Sequence, residues 1–474
     1  MMESSNPHAG RLSIPFLQDT ATYSVALSGT ELPACRRAEG ALRAHDRRAH
    51  RAPRPVPRIP GAFTPMGYPD AMTRRSWFLL LAALALLPLS VLPGQPAPQR
   101  PYVVLVSLDG FRYDYAERYH ANELLALGKA GAAAEGMIPS FPTVTFPNHI
   151  SIVTGQYPEH HGIVLNSFYD PARKESYSSR QSALDGSWYR YKPLWVVAEE
   201  QKVKAASMFW PTADAEIGGV RPSYWLKYDG TFPNQQRVAK VLEWLRMPEN
   251  ERPHFITLYF SDVDSAGHSF GPESPETAQA VARVDKLVGD LWAGIRAIPL
   301  PVNVIVVSDH GMQAVEGFVN LSDYADLSKV RVVTEGPVAL IYAPDPPTAE
   351  QVYASLKGKS GKFDVYRRRE TPKPWHFSAS ERIGDLVVCA HVATTLVATT
   401  PARPPSKGNH GFDPREFKTM QGIFYAAGPN VQPGVVLQPF ENVNVFPFIA
   451  RILGLESPPG LDGDASVLAS AYRK

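Results

Sequence analysis

The run YVVLVSL at 102–108 is apolar at every position but Ser107, and it ends directly on Asp109-Gly110. A strand with one wet face alternates apolar and polar residues; a run apolar on both faces belongs to a strand covered on both sides. HFITLYF (254–260), VNVIVVS (302–308), GPVALIYA (336–343) and QGIFYAAG (421–428) share this character. Helical patterns lie between them, over 193–202, 235–247, 275–297, 348–357 and 441–453, and ELLALGKAGAAAE (123–135) reads as helical too. Strands alternating with helices predict an α/β fold around a largely parallel central sheet. No repeat or long low-complexity linker interrupts the chain after 101, so 98–474 reads as a single domain with inserted loops.

The residues before that domain differ in kind. Residues 1–71 are rich in Arg, Ala and Pro without a hydrophobic period, which predicts a disordered extension or a mis-assigned start, with Met72 the real one. From Met72, two arginines precede the apolar run Trp77–Leu92 and a Pro/Gly/Ala stretch. This is the layout of a signal peptide over 72–97 with Ala97 at the cleavage edge. The run is also near the lower limit for a membrane span, so an uncleaved anchor is the alternative. Export to the periplasm or the medium is expected, or anchoring in the inner membrane. The cysteines are Cys35 and Cys389 alone. Processing would leave one thiol and no intramolecular disulfide, which suits a bacterial periplasm better than an animal cell surface. A net charge of +2, from 48 basic and 46 acidic residues, argues against a broad basic surface for duplex nucleic acid.

Ligand sites in open α/β sheets lie beyond the carboxyl ends of strands. Asp109 follows one buried run, Asp309-His310 another, and HFITLYF leads into SDVDSAGH with Asp264 and His268; His410 stands between glycines in KGNHGFDP. Singly, each is better read as a turn former, a cap or a solvated histidine. Together, Asp109, Asp309 and His310 with Asp264, His268 and His410 make two mixed O/N sets that suit Zn²⁺ or a related metal. Without metal their carboxylates would repel one another. Two metals about 3.5–4 Å apart suit phosphoryl displacement. A nucleophile is still needed, and PSFPTVTFPNH (139–149), stiffened by prolines, offers Thr143 and Thr145. Both fall on one face if the loop is extended, and spacing does not choose between them.

The motifs VSLDGFR, PTVTFPNHISIVTGQYPEHHGIVLN, WYRYKPLWVVAEEQ, FWPTADAEIGG, DVDSAGHSFGPES, VVSDHGM and KGNHGFDP resemble, in order, those of the nucleotide pyrophosphatase/phosphodiesterases of the alkaline phosphatase superfamily. The resemblance implies an alkaline-phosphatase-like three-layer α/β/α sandwich and two Zn²⁺ per chain. One zinc would be held by Asp109, Thr145, Asp309 and His310, the other by Asp264, His268 and His410. Thr145 would be the nucleophile, leaving Thr143 structural. Asn166 and the Phe146 N–H would bind the phosphoryl oxygens, and the Phe146 and Tyr228 rings would enclose a base. Relatives often carry a Lys near the end of the 166–188 loop; here Arg180 is the substitute on offer. His149, His160 and His161 are left outside the metal site. The implied activity is release of nucleoside 5′-monophosphates from small nucleotides through a phosphothreonine, by a monomer. The alternatives are a lysophospholipid or glycerophosphocholine phosphodiesterase on the same scaffold, in which an aromatic holds the head group, and a non-catalytic metal-binding protein. A phosphomonoesterase would need an added cation for the dianion, and a sulfatase a Cys in the nucleophile loop.

Overall fold

A computed structural model of the chain describes residues 100–401 and 404–474. The expected extension over 1–71 and the leader over 72–97 lie outside the described residues. Eight strands form the central sheet: β1 (Tyr102–Leu108), β2 (Ala132–Ala134), β3 (Ala205–Met208), β4 (Tyr224–Trp225), β5 (Phe255–Phe260), β6 (Val302–Val307), β7 (Phe424–Ala427) and β8 (Val435–Leu437). Their order is β8-β2-β7-β6-β1-β5-β3-β4. β1 pairs in parallel with β5 on one side and β6 on the other; only β7 runs antiparallel to its neighbours.

Alternation along β1 divides its side chains between two cores. Val103 and Leu105 join the core on one face, and Tyr102, Val104, Val106 and Leu108 the core on the other. The first face is covered by helices Thr145–Thr154, Leu194–Glu200 and Val445–Leu453, through Ile152, Val153, Trp195, Phe446 and Phe448. The second is covered by Asn234–Leu245 and Pro275–Arg296, through Val241, Val284, Val288 and Leu291. This is a three-layer α/β/α arrangement. Each fully buried Leu or Val stabilises it by about 1.5–3 kcal/mol before ordering entropy is charged against it.

Two expectations need correction. The alanines at 132–134 leave the helix, which ends at Ala130, and pair with Tyr425–Ala426 and Val435–Leu437. Cross-strand pairing overrides the helix propensity of alanine there. The run GPVALIYA does not enter the central sheet. Its strand, Val338–Tyr342, lies in a separate antiparallel sheet with Arg331–Glu335, Leu386–Ala390 and Phe363–Arg367. Only Gly336 and Pro337 separate Glu335 from its partner Val338, and a two-residue link permits antiparallel pairing alone. Ala339, Ile341, Val365 and Val388 help to form this sheet's own core.

Candidate active site

β6, β1 and β5 are adjacent and parallel, so their carboxyl ends reach one edge together. Asp109 follows β1, and Asp309 and His310 follow β6 after Ser308. β5 passes through Ser261 into helix α1 (Asp262–Phe270), where Asp264 and His268 stand four residues apart on one face. Gly110 makes this convergence possible: its φ is +67°, and a Cβ there would lie 2.8 Å from the Asp264 Cα. The Asp264 N–H donates to the Asp109 carbonyl at 3.1 Å, and the Gly110 N–H to Asp309 Oδ1 at 3.2 Å. His410 arrives on a loop tied by Gly408–Asn409, which pairs with Gln313–Ala314 just beyond His310.

Two clusters result, Asp109–Asp309–His310 and Asp264–His268–His410, each with ligand-capable atoms within 4.8 Å of one another. His310 Nε2 lies 3.1 Å from Asp309 Oδ2 and 3.6 Å from Asp109 Oδ1. His268 Nε2 lies 3.3 Å from Asp264 Oδ1, and His410 Nε2 lies 3.6 Å from the same oxygen. The clusters adjoin through the stacked rings of His310 and His410, 3.6 Å apart.

The donor sets fit metal ions. Asp109 Oδ1, Asp264 Oδ1 and Asp309 Oδ2 are buried with no hydrogen-bond partner, a costly arrangement for a carboxylate unless a cation compensates it. Each histidine gives its Nδ1–H to a backbone carbonyl: His310 to Gly311 at 2.8 Å, His268 to Gly408 at 2.8 Å and His410 to Thr143 at 3.0 Å. Carbonyls only accept, so the Nε2 lone pairs are the ones aimed inward, as metal-ligating histidines require. Those of His268 and His410 face each other at 3.1 Å, where two lone pairs repel unless a cation or proton lies between them. The titration pattern agrees. Burial, then the charges of Asp309 and Asp264, push the Asp109 carboxyl well above its usual range. Burial opposes ionisation of Asp309 too, but His310 and His149 outweigh it and hold that carboxyl well below. Burial likewise opposes ionisation of Asp264, but His268 prevails and brings it to about 2. His310 rises to about 10 because Asp309 overcomes its burial, whereas burial and the two neighbouring histidines drive His410 far down. The raised proton affinities of Asp109 and His310 fall where a divalent cation would neutralise the same oxygens and nitrogens.

Thr145 opens the helix Thr145–Thr154, and its Oγ1 lies 3.2 Å from His310 Nε2, at a helix N-terminus where anions are favoured. Thr143 is fully buried; its Oγ1 donates to the Phe412 carbonyl and accepts from the Gly411 N–H, each at 2.9 Å, clamping the His410 loop. Asn148 fixes the turn between them by donating to the Pro142 and Val144 carbonyls. The Phe146 N–H donates to Asn166 Oδ1 at 2.9 Å, so the two expected phosphoryl donors meet each other in this arrangement. The Phe146 ring is half-buried, and Tyr228 is 50% exposed, its ring 5.5 Å from Phe209 and 6.3 Å from Tyr259. Arg180 lies on an exposed turn after the Glu175–Ser178 strand, where its N–H donates to Ser178 Oγ.

The histidines set aside divide. His160 pairs with Asp462 at 2.7 Å, away from the clusters. His161 ends a short helix, is fully buried against Ser151, and burial lowers it to about 3. His149 is outside both ligand sets yet belongs to the site. Its Nδ1–H donates to the Thr145 carbonyl at 2.9 Å and lies 3.3 Å from Asp309 Oδ2, while Ser107 donates to its Nε2. Tyr259 and Glu335 were also invisible in the sequence pattern. The Tyr259 O–H donates to Asp109 Oδ2 at 2.5 Å, and Glu335 Oε2 accepts the Asn166 N–H at 3.0 Å. Tyr259 sits in an apolar run and reads as core; Glu335 sits in a strand of the second sheet.

The family model for type I phosphodiesterase / nucleotide pyrophosphatase matches residues 103–413. Among curated proteins, the chain is similar to mouse ectonucleotide pyrophosphatase/phosphodiesterase family member 1, with 38% identity over 387 residues, 77% of this chain and 42% of that protein. It is 34% identical, over 75% of its own length, to 78% of an uncharacterized pyrophosphatase/phosphodiesterase of Schizosaccharomyces pombe. The chain thus spans about two fifths of the length of the mammalian family member 1 proteins it matches. Among solved structures, an inactive variant of murine ectonucleotide pyrophosphatase/phosphodiesterase 5 in complex with AMP superposes with a TM-score of 0.75 at 28% identity, covering 79% of this chain and all of that one. The human counterpart gives the same TM-score at 27% identity, again over 79% of this chain and all of its own. The matched segment contains both clusters and the Thr145 loop, and the chain belongs to the type I phosphodiesterase/nucleotide pyrophosphatase family.

Proposed function

We propose that this chain is an exported, monomeric two-zinc enzyme that cleaves phosphodiester and pyrophosphate bonds of small nucleotides, releasing nucleoside 5′-monophosphates. The observation that carries this reading is Thr145 Oγ1 at a helix N-terminus, 3.2 Å from His310 Nε2 and beside buried carboxylate oxygens that lack partners. Asp109, Thr145, Asp309 and His310 would hold one zinc, and Asp264, His268 and His410 the other. Bound zinc would supply the Lewis acidity that lowers the Thr145 hydroxyl pKa and neutralises charge on the leaving oxygen.

Thr145 Oγ1 attacks phosphorus as the P–O bond to the leaving group breaks, giving a phosphothreonine. Water then cleaves that ester and restores the hydroxyl, so two displacements retain configuration at phosphorus. The helix N-terminus, the Phe146 N–H and the Asn166 amide favour the charge on the non-bridging oxygens, once substrate draws the Phe146 N–H and the Asn166 side chain apart. His149 orients Thr145 through its carbonyl. The Phe146 and Tyr228 rings receive the base. Export rests on the 72–97 leader, and the names of the ectonucleotide relatives support it. Among the described residues no helix is long and apolar enough to cross a membrane.

Thr145→Ala tests the mechanism with p-nitrophenyl thymidine monophosphate. Zinc content should stay near two per chain while turnover falls on the order of 10³-fold or more. Full turnover in the variant would sink the mechanism. A kcat/KM preference for lysophosphatidylcholine over ATP and dinucleotides would replace nucleotides with the lipid reading, and inert wild-type protein would leave a metal-binding protein.

A further inference from the structure

Glu335 is a carboxylate at the phosphoryl end of the site that the mechanism above does not use. It ends the Arg331–Glu335 strand and leans against the start of the 166–188 loop, with Oε2 accepting the Asn166 N–H at 3.0 Å. The Ser167 N–H and the Asn166 side chain also approach it. Asn166 in turn meets the Phe146 N–H at 2.9 Å, and Phe146 adjoins Thr145. Two hydrogen bonds therefore link Glu335 to the residue next to the nucleophile. Its position is fixed from behind. Gly336 has φ +54°, and a Cβ there would lie 2.5 Å from the His410 carbonyl, so the Glu335–Gly336 turn is wedged between the start of the 166–188 loop and the His410 loop. No Arg or Lys forms an ion pair with Glu335 among the described residues.

We infer that Glu335 is a specificity-determining residue that holds Asn166 at the phosphoryl subsite and sets beside it a fixed negative charge that favours diester monoanions over monoester dianions. The inference rests on the phosphoryl-transfer reading. A diester brings one negative charge to the subsite and a monoester two, so the carboxylate repels the second class more. Across several ångströms of partly shielded protein, one extra unit charge changes relative affinity by about tenfold or more. The backbone donors of Asn166 and Ser167 favour the ionised form, but burial prevails and lifts the carboxyl to about 7, so the comparison belongs at pH 9.

The test uses zinc-loaded full chain and the variants Glu335→Gln, Glu335→Ala and Glu335→Asp. The readouts are kcat/KM for bis(p-nitrophenyl) phosphate against p-nitrophenyl phosphate, and inhibition by inorganic phosphate. Glu335→Gln should shift the ratio toward the monoester by about tenfold and tighten phosphate inhibition similarly, while Glu335→Asp stays near wild type. A merely structural role would lower both substrates together; a ratio within twofold of wild type in a folded Glu335→Gln protein overturns the inference. If that variant fails to fold, the ratio is read on Glu335→Ala, and failure of both to fold makes Glu335 structural and overturns it equally. Wild-type protein inactive on both esters defeats the functional reading itself; active wild type with an unmoved ratio defeats only the role of Glu335.

Discussion

Replacing Tyr259 with Phe removes one oxygen from beside the Asp109 carboxylate and changes little else. The O–H donates to Asp109 Oδ2 at 2.5 Å, in a position where Asp109 is 2% exposed and its other oxygen has no partner. Burial and the adjacent Asp109 charge keep the phenol protonated far above its usual range, so it is a donor at every working pH. The ring would still pack edge-on against His149, 5.3 Å away. A hydrogen bond to a charged acceptor is worth about 1.5–3 kcal/mol. At 1.36 kcal/mol per tenfold, losing it weakens metal affinity about 10- to 100-fold. The loss falls on the Asp109–Asp309–His310 cluster, because the Tyr259 hydroxyl is bonded to none of Asp264, His268 or His410. Its sign follows from charge: without the donor, Asp109 ionises less readily, and a metal needs it ionised. The assay is zinc titration of chelator-stripped protein against a chromophoric chelator at pH 7, resolved into two steps. One step should weaken and the other stay within about twofold of wild type. Two unchanged steps, or two steps weakened equally, would refute the role assigned to this hydroxyl.

Thr143→Val should keep the shape of the loop but leave the Gly411 N–H and the Phe412 carbonyl unpaired beside His410, costing about 2–4 kcal/mol in urea unfolding; a loss below about 0.5 kcal/mol would contradict the clamp. Asp462→Asn tests a pH-dependent tie at His160, whose pKa is raised chiefly by its hydrogen bond to Asp462. A raised histidine stabilises fully below the unfolded value of about 6.5 and loses that contribution as pH rises through the folded value. The variant's stability deficit should therefore be larger at pH 5.5 than at pH 9, by no more than about 1 kcal/mol because the His160 side chain is 39% exposed. Equal deficits at the two pH values would rule this tie out.

The metal-ligating candidates were legible because the geometry of parallel strands does the locating. A run apolar on both faces must be a covered strand, and a polar residue directly after it must lie at the carboxyl edge. Asp109, Asp309 and His310 follow from that rule, and Asp264 with His268 from helical spacing one element on. The choice between Thr143 and Thr145 was not legible this way. It depends on where the helix begins: Thr145 is its first residue and faces His310, while Thr143 lies before the turn and faces the His410 loop.

The residues that orient the candidate ligands were illegible for the opposite reason: their patterns are those of ordinary core. Tyr259 lies within a strand that is buried throughout, and His149 is a fully buried helix residue; only the long-range partners Asp109, Asp309 and Ser107 reveal their roles. Glu335 adds a topological cause. The run that follows it reads as a strand of the central sheet, where a strand's carboxyl end is the functional one. The two-residue turn at Gly336-Pro337 instead makes that run half of an antiparallel hairpin, and brings the turn itself against Asn166 and His410. The diester preference proposed for Glu335 is therefore supplied by a turn outside the parallel scaffold. The candidate ligand positions are constrained by strand order, but this charge is constrained only by hairpin length. One residue inserted at 336–337 should displace Glu335 from Asn166 without disturbing β1, β5 or β6, so selectivity among phosphate esters can change while the two carboxylate–histidine clusters stay in place.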